Sequence, residues 1–257
     1  MRLGCLPYLN VKPLVYTLEH GGLPSGWELV YAPPSRLAEM LASGEIAAAP
    51  VSSFATFTNP DLDICPGICI AADGPVKSVL MLSKKSLANL NRVALDTGSL
   101  SGASMLKIIL AELYNIHPEF VPKTPNTVAA MLEDCDAAMV IGDPAMTCSK
   151  EGLFVLDLAE EWKKLTGLPA VFAVWAGTDI SPELIDVLHR AKSAGLACVH
   201  DIAREEAVRL GLPYQVCDDY LSRIMVYDLG EREMQGLALF RQKAILHGLV
   251  GTHRVNV

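Results

Sequence analysis

The sequence is poor in positive charge. Its 257 residues include 21 Lys and Arg against 29 Asp and Glu, which gives a formal net charge of −8. Adjacent basic residues occur only as the pairs Lys84-Lys85 and Lys163-Lys164. Because nucleic-acid binding needs clustered Lys and Arg to neutralise phosphates, we expect no nucleic-acid partner.

Long apolar runs are also missing, although 51% of the residues are hydrophobic. A membrane-spanning helix needs about 20 consecutive apolar residues, and the longest runs here, such as 170–177, fall far short. Pro7 and Asn10 interrupt the apolar residues that follow Arg2, so the start of the chain does not match a secretory signal. We therefore expect a cytoplasmic protein that does not insert into a membrane.

The cysteines form no pattern that predicts a disulfide framework or a metal site. Cys65 and Cys69 lie four residues apart without a neighbouring His, which matches zinc sites poorly. An odd number of scattered cysteines is typical of reduced, buried thiols in a cytosolic protein. We therefore expect no metal site. The seven cysteines are Cys5, Cys65, Cys69, Cys135, Cys148, Cys198 and Cys217.

Motifs for nucleotide binding and for the common hydrolases are absent as well. The chain contains no Walker loop, no G-x-G-x-x-G fingerprint, no G-x-S-x-G elbow and no H-E-x-x-H pair. None of the six histidines lies on a predicted strand-end turn. We therefore expect neither a cofactor nor a histidine general base.

What the chain does contain is an alternation of short apolar runs and amphipathic stretches, which predicts an α/β fold. Two sets of strands and helices are followed by a mainly helical tail that begins at Ser181, where Pro182 and Glu183 form a helix start signal. The predicted strands cover residues 2–6, 27–31, 46–51, 63–71, 78–83, 92–95, 119–122, 137–141, 154–157 and 170–176.

Two such sets fit two lobes better than one long sheet. We predict a first lobe of residues 1–85 plus 178–257 and a second lobe of residues 86–177. A chain that crosses twice between lobes leaves a cleft, and clefts between lobes are common ligand sites.

Polar residues follow several predicted strands, at the edge where open α/β sheets bind ligands. The segment Thr97–Gly102 opens a helix, whose free N–H groups and dipole attract anions, although Ser99 could equally be an ordinary helix cap. Asp143 could equally be a turn residue or the cap of the next helix. These patterns predict a cleft for a small anionic ligand and leave open whether the protein only binds it. The candidate residues are Tyr8, Asn10, Ser52, Ser53, Ser78, Thr97, Ser99, Ser101, Gly102 and Asp143.

Several segments together resemble the chorismate dehydratase family of the futalosine route to menaquinone. The resemblance runs in order from residue 1 to about residue 180, and the helical tail matches only in length and character. The most specific segment is Trp162–Ala176, which reads Trp-Lys-Lys-Leu-Thr-Gly-Leu-Pro-Ala-Val-Phe-Ala-Val-Trp-Ala. The others are Leu6–Asn10, Gly44–Val51, Asp73–Ser78 and Ile141–Asp143.

The resemblance implies the two-lobed fold of type II periplasmic binding proteins, used as a hydro-lyase that converts chorismate to 3-[(1-carboxyvinyl)oxy]benzoate. It implies that Asn10 and Ser78 act at the reacting centre. Our own hypothesis is that these two residues hydrogen-bond the substrate while one of its carboxylates removes the proton. Contacts to the substrate are implied for Ser52, Thr97, Ser99 and Ser101. The family often has Ser-Arg-Thr-Ser where this chain reads Ser-Leu-Ser-Gly over 99–102, which leaves the role of an Arg and of the last hydroxyl open.

Two alternatives share this fold. One is a solute-binding protein for a small carboxylate, which would be exported and so would need a signal. The other is the sister enzyme of the same pathway, which makes a dihydroxynaphthoate and depends on a His that this chain lacks at the matching positions. The sequence does not indicate an oligomeric state.

Overall fold

The strands of the chain form a six-stranded and a five-stranded sheet in the computed structural model, which describes residues 1–124 and 126–250. The first sheet contains β1 (Arg2–Cys5), β2 (Glu28–Tyr31), β3 (Ala48–Ser52), β4 (Asp63–Ala72), β10 (Ala170–Gly177) and β11 (Met225–Val226). The second contains β5 (Val79–Ser83), β6 (Arg92–Asp96), β7 (Glu119–Lys123), β8 (Ala137–Ile141) and β9 (Phe154–Asp157).

The helices cover the sheets and form most of the C-terminal part of the chain. The early helices are α1 (Lys12–Thr17), α2 (Pro34–Ala42) and α3 (Ser53–Thr58). The second sheet brings α4 (Leu100–Glu112), α5 (Val128–Met131), α6 (Gly142–Thr147) and α7 (Leu158–Thr166). The tail contains α8 (Pro182–Ala197), α9 (Val199–Leu210), α10 (Tyr214–Asp219) and α11 (Glu231–Leu246).

The strand order of the first sheet is β11-β4-β10-β3-β1-β2. β1 pairs in parallel with β2 and β3, whereas β10 runs antiparallel between β3 and β4. β10 and the inner half of β4 are almost continuously apolar and buried, as expected of strands covered on both faces. The short β11 adds the helical tail to the edge of this sheet.

The second sheet has the order β7-β6-β8-β5-β9. β5 is antiparallel to both β8 and β9, so it belongs to this sheet and not to the first. The predicted first lobe comprises residues 1–85 plus 178–257, and the predicted second lobe comprises residues 86–177. This division places β5 in the first lobe and β10 in the second, whereas β5 belongs to the second sheet and β10 to the first. Local apolar runs do not identify a strand's hydrogen-bonding partner, and both strands are antiparallel insertions between distant segments.

Aromatic side chains join the tail to the rest of the core. Phe240 of α11 is fully buried, and its ring lies 5.1 Å from that of Phe57 and 5.5 Å from that of Trp162, both edge-on. α11 therefore packs where α3 of the first sheet meets α7 of the second. Within the described residues, no helix combines the length and hydropathy required to cross a membrane.

Asp136 fastens the connection between β5 and β6 to the start of β8. Its carboxylate accepts hydrogen bonds from Lys85 Nζ at 2.7 Å, from the Asn91 backbone N–H at 2.8 Å and from the Arg92 backbone N–H at 3.1 Å. The hydrogen bond from Lys85, followed by those from the two backbone groups, lowers the pKa of Asp136 from 3.8 to about 2.

This lowered pKa predicts a pH-dependent contribution to stability. An acid whose pKa is depressed on folding stabilises the fold above its unfolded pKa, and the contribution disappears as the pH falls through the folded value. We expect Asp136→Asn to unfold at lower urea concentration than wild type at pH 7, and the difference to shrink as the pH falls from about 4 towards 2. Urea titrations across that range measure it, with the exposed Asp179→Asn as control. A difference that stays constant down to pH 2 would contradict this assignment.

Candidate active site

A cavity of about 430 Å³ lies between the two sheets. Its first-sheet wall follows β1 and β3, and its second-sheet wall follows β6 and β8, so the carboxyl ends of these strands meet there as predicted. Apolar side chains such as Leu41, Leu62 and Phe172 form much of the remaining wall. Six of the ten predicted site residues line the cavity: Tyr8, Asn10, Ser52, Thr97, Ser99 and Ser101.

The other four predicted residues, Ser53, Ser78, Gly102 and Asp143, do not line the cavity. All four are buried. Each of them instead contacts a residue that lines the cavity or a residue adjacent to the lining. Their direct contact with a ligand stays a prediction.

Three serine hydroxyls connect the first sheet to the second across the cavity. Ser101 Oγ lies 2.7 Å from Ser52 Oγ and 3.0 Å from Ser53 Oγ, and it accepts the Phe54 N–H at 3.2 Å. Ser53 in turn donates to the carbonyl oxygen of Val171 on β10. The cluster brings the start of α3 against the start of α4, and the hydroxyls of Ser52 and Ser101 form part of the cavity wall.

The first turn of α4 lies against the cavity. Ser99 caps the helix, since its Oγ accepts the Gly102 N–H at 3.2 Å. Thr97, Gly98 and Leu100 also line the cavity, which leaves the N-terminal N–H groups and the positive end of the helix dipole as the anion-binding features here. Leu100 occupies the position where the resembled family often has Arg, so this wall has no guanidinium.

No side chain fits at position 102 without displacing a neighbouring atom. A Cβ on this residue would lie 2.7 Å from Ser99 Oγ and 3.2 Å from Met139 Sδ. The Cβ of the Ser that the resembled family often has at this position would therefore displace the capping hydroxyl of Ser99.

We expect Gly102→Ser to lower the free energy of unfolding by about 1–2 kcal/mol, because it overpacks the turn and weakens the cap. Urea denaturation measures this loss, with Ala88→Ser at an exposed position as the control. If Gly102→Ser were as stable as wild type and more active, the spatial requirement for glycine would be wrong, and the added hydroxyl would contribute to activity.

Asp143 holds the turn after β1 in place. Its Oδ1 accepts the Leu9 N–H at 2.9 Å, and its Oδ2 accepts Arg209 Nη2 at 2.8 Å. Asp143 lies in α6, which follows β8 of the second sheet, and Arg209 lies in the tail helix α9. The carboxylate therefore joins the second sheet to the turn after β1 and to α9. Asp143 thereby fixes the position of Tyr8 and Asn10 on either side of Leu9.

Tyr8 lies over the turn between β8 and α6. Gly142 adopts φ +63°, and a Cβ there would lie 3.3 Å from the Tyr8 ring. Burial raises the pKa of Tyr8, and the nearby carboxylates of Asp96 and Asp143 raise it further. Burial also raises the pKa of Asp96, although the hydrogen bond that Asp96 accepts from the Gly98 N–H at 2.7 Å lowers it. The phenol of Tyr8 is therefore a neutral donor at the cavity wall.

Ser78 pairs with a residue of the tail that sequence analysis did not single out. Tyr220 donates its O–H to Ser78 Oγ at 2.7 Å, and both side chains are fully buried. Burial raises the pKa of Tyr220, while the neighbouring polar side chains of Ser78 and Asn10 act in the opposite direction. Tyr220 is therefore hydrogen-bonded to one of the two residues implied for the reacting centre.

Asp157 shapes the loop that leads into Ser78. Its carboxylate accepts the N–H groups of Val76 at 3.0 Å and Lys77 at 2.7 Å, and it also caps α7 through Ala159 and Glu160. Lys77 has φ +64°, a conformation that non-glycine residues seldom adopt. The carboxylate stabilises this strained loop.

The cavity wall is uncharged. In the described part of the chain, no Lys, Arg, His, Asp or Glu lines it, and no group of three or more His, Cys, Asp or Glu residues is placed to hold a metal ion. Asn10 Oδ1 is buried and has no hydrogen-bond partner among the described residues. The wall thus offers hydroxyls, backbone N–H groups and the side chain of Asn10.

Comparison with known proteins identifies the family. A family model described as menaquinone biosynthesis matches residues 1–245. The chain belongs to this menaquinone biosynthesis family. Over 261 residues, the chain is 31% identical to the chorismate dehydratase of Thermus thermophilus, with 93% of each chain covered. The chorismate dehydratase of Campylobacter jejuni is 26% identical over 249 residues, which cover 93% of this chain and 96% of that one.

Solved structures confirm the predicted two-lobed, periplasmic-binding-protein-like α/β fold for this member of the menaquinone biosynthesis family. A protein of Archaeoglobus fulgidus superposes with a TM-score of 0.79 at 20% identity, covering 97% of this chain and 98% of that one. The periplasmic aliphatic sulphonate binding protein of Escherichia coli superposes with a TM-score of 0.66 at 17% identity, covering 98% and 94%.

Three residues that support the site were missed by sequence analysis: Asp157, Arg209 and Tyr220. Asp157 precedes a helix and has the pattern of a cap. The hydrogen bonds that it accepts from residues 76 and 77, however, join segments about 80 positions apart. Arg209 and Tyr220 belong to the tail, where no motif marks them. Their partners are set by packing alone.

Proposed function

We propose that the chain is a chorismate dehydratase, which eliminates water from chorismate to give 3-[(1-carboxyvinyl)oxy]benzoate for menaquinone synthesis. The observation that carries the proposal is the uncharged cavity between the sheets, which combines the first turn of α4 with the side chain of Asn10. The relatives in Thermus and Campylobacter support the same activity.

The wall matches the parts of chorismate. The substrate carries two carboxylates, which need N–H and hydroxyl donors, and the first turn of α4 with the hydroxyls of Thr97 and Ser99 supplies them. Its ring is apolar, and Leu41, Leu62 and Phe172 offer apolar contact. The ligand class is therefore a small dianion with an apolar body.

Asn10 is proposed to contact the departing hydroxyl. Asn10 lines the cavity, and its amide can donate to or accept from a hydroxyl, whereas both carboxylates of chorismate are acceptors only. This contact orients the hydroxyl while the donors on α4 hold a carboxylate. Ser78 is proposed to support Asn10 from behind the wall.

The proton is proposed to move within the substrate. The carboxylate of the carboxyvinyl group takes the proton from the ring carbon that bears the ether oxygen, and the bond to the neighbouring hydroxyl breaks. That hydroxyl leaves as water with the transferred proton, so charge and atoms balance. Formation of the aromatic ring drives the step, and the protein supplies orientation and excludes solvent.

The proposed setting is the cytoplasm, with a small anionic substrate as the partner. All seven cysteines are free thiols, most of them buried, which fits a reducing compartment. Burial raises the pKa of Cys65 to about 11 and that of Cys5 to about 12, so these thiols are neutral and unreactive.

Incubation of the purified chain with chorismate tests the activity. We expect loss of the diene absorbance together with an aromatic product lighter by one water. A second candidate, a binding protein for a small carboxylate, is favoured by the structural likeness to the sulphonate binding protein. Tight binding of chorismate without conversion would favour that candidate and contradict the proposal.

A further inference from the structure

We propose that Arg209 is a positioning residue, which orients the carboxylate of Asp143 so that Asp143 holds the turn after β1 at the distance from the second sheet that the reaction needs. The inference rests on the proposed dehydratase activity. It assigns a function to the helical tail, the part of the chain in which the resemblance to the family carried no residue.

The turn Gly142-Asp143 binds both segments that carry the residues implied for the reacting centre. The Gly142 N–H donates to the carbonyl oxygen of Ser78 at 2.7 Å. Asp143 Oδ1 accepts the Leu9 N–H at 2.9 Å, one residue before Asn10. This turn therefore sets the spacing between Asn10 and Ser78.

The hydrogen bond between Leu9 and Asp143 is shielded from water. Leu9 is 0% exposed and Asp143 is 9% exposed. Leu9 begins the short 3₁₀ turn Leu9–Val11, and the first N–H groups of a helical turn have no partner within it. The carboxylate satisfies this N–H, so the orientation of the carboxylate determines where the turn lies.

Arg209 fixes the orientation of that carboxylate. Asp143 Oδ2 accepts Arg209 Nη2 at 2.8 Å, while Oδ1 faces Leu9. With a donor on each oxygen, the carboxylate cannot rotate without losing a charge-assisted hydrogen bond. The guanidinium also offsets the cost of burying the negative charge.

Glu206 holds the guanidinium in place from the same helix. Its Oε2 accepts Arg209 Nε at 2.6 Å and lies 2.6 Å from Arg209 Nη2. Glu206 is buried, and Lys12 of α1 lies 4.0 Å from its Oε1. The tail therefore presents a fixed donor to Asp143. The side chain of Arg209 is nevertheless 44% exposed, so its replacement leaves no cavity in the core.

A second arginine of the tail provides a matched control. Arg190 is exposed on α8 and pairs with Asp186, four residues earlier on the same helix. This pair resembles that of Arg209 with Glu206. Among the described residues, the hydrogen bond of the Arg190 side chain goes to that acid and not to the second sheet.

The test compares Arg209→Met, Arg209→Lys, Arg190→Met and wild type in steady-state turnover of chorismate. We expect Arg209→Met to lower kcat by about 10–100-fold with KM within about threefold, because the turn that carries Asn10 shifts while the first turn of α4 does not. Arg209→Lys keeps a cation that can donate to Asp143 and should restore kcat to within about threefold of wild type. Arg190→Met should keep the wild-type kcat, and thermal unfolding checks the fold of each variant.

Coupling to Asp143 separates positioning from a structural role. Asp143→Asn should itself lower kcat, and Arg209→Met should cause no further loss in that background, because the carboxylate that Arg209 orients is gone.

Hydrogen exchange of the Leu9 amide reads the same contact without substrate. Arg209→Met should speed this exchange by at least about tenfold, and Arg190→Met should leave it unchanged. This measurement keeps the test available if Asp143→Asn folds poorly.

Each outcome bears on one of the two proposals. Wild type that fails to convert chorismate overturns the proposed function and this inference with it. If wild type is active, the inference alone is overturned by an unchanged kcat in Arg209→Met, by a rise in KM alone, by losses that multiply with Asp143→Asn, or by unchanged exchange of the Leu9 amide. A kcat loss that Arg209→Lys reverses, that vanishes in the Asp143→Asn background and that accompanies faster exchange at Leu9 supports it.

Discussion

Replacing Asn10 by alanine is expected to lower kcat for chorismate by about 10²–10³-fold, the loss typical of removing one preorganised polar contact at a reacting centre. The amide lines the cavity and its oxygen has no partner among the described residues. The first turn of α4 holds the substrate carboxylate independently, so KM should change by less than about tenfold. Steady-state assays with purified chorismate measure both constants.

Asn89→Ala is the matched control for this experiment. Asn89 is exposed and hydrogen-bonds to Ser86 on the surface, so its loss should leave kcat at the wild-type value. If Asn10→Ala turned over chorismate at the wild-type rate, the assignment of Asn10 to the reacting centre would be wrong.

Replacing Asp157 by alanine is expected to lower the free energy of unfolding by about 3–5 kcal/mol, because buried backbone donors lose their acceptor. Four N–H groups lose a partner, two in the loop before Ser78 and two in the first turn of α7. The strained Lys77 also loses the group that stabilises it. Urea denaturation followed by circular dichroism measures the loss.

The exposed Asp179→Ala serves as control and should stay within about 0.5 kcal/mol of wild type. Burial raises the pKa of Asp157, although the four backbone hydrogen bonds that it accepts lower it. A loss of stability no larger than that of the control would mean that Asp157 does not hold this loop.

Much of the site could be predicted because it follows from local patterns. Ala137–Ile141 and Phe154–Asp157 were predicted with the same ends that the structure has. Polar residues after predicted strands meet at one edge, which explains why Tyr8, Ser52 and Thr97 line the same cavity. Periodicity and strand-end position both depend on residues close in sequence.

The remainder depends on contacts between distant segments. Residues 53–58 were not predicted as a helix, although Ser53 of α3 shares the hydroxyl of Ser101. β5 and β10 were predicted as strands, but their partners lie far along the chain. Tyr220 illustrates the limit most clearly, because its partner Ser78 is 142 positions away. Neither composition nor spacing carries that pairing.

The central claim is tested most directly by the structure of the product. Chorismate is mixed with excess protein for a single turnover, quenched and examined by proton NMR. The proposed reaction predicts a substituted benzoate that keeps the two vinyl protons of the carboxyvinyl ether. Unchanged chorismate, or a hydroxybenzoate released together with pyruvate, would contradict it.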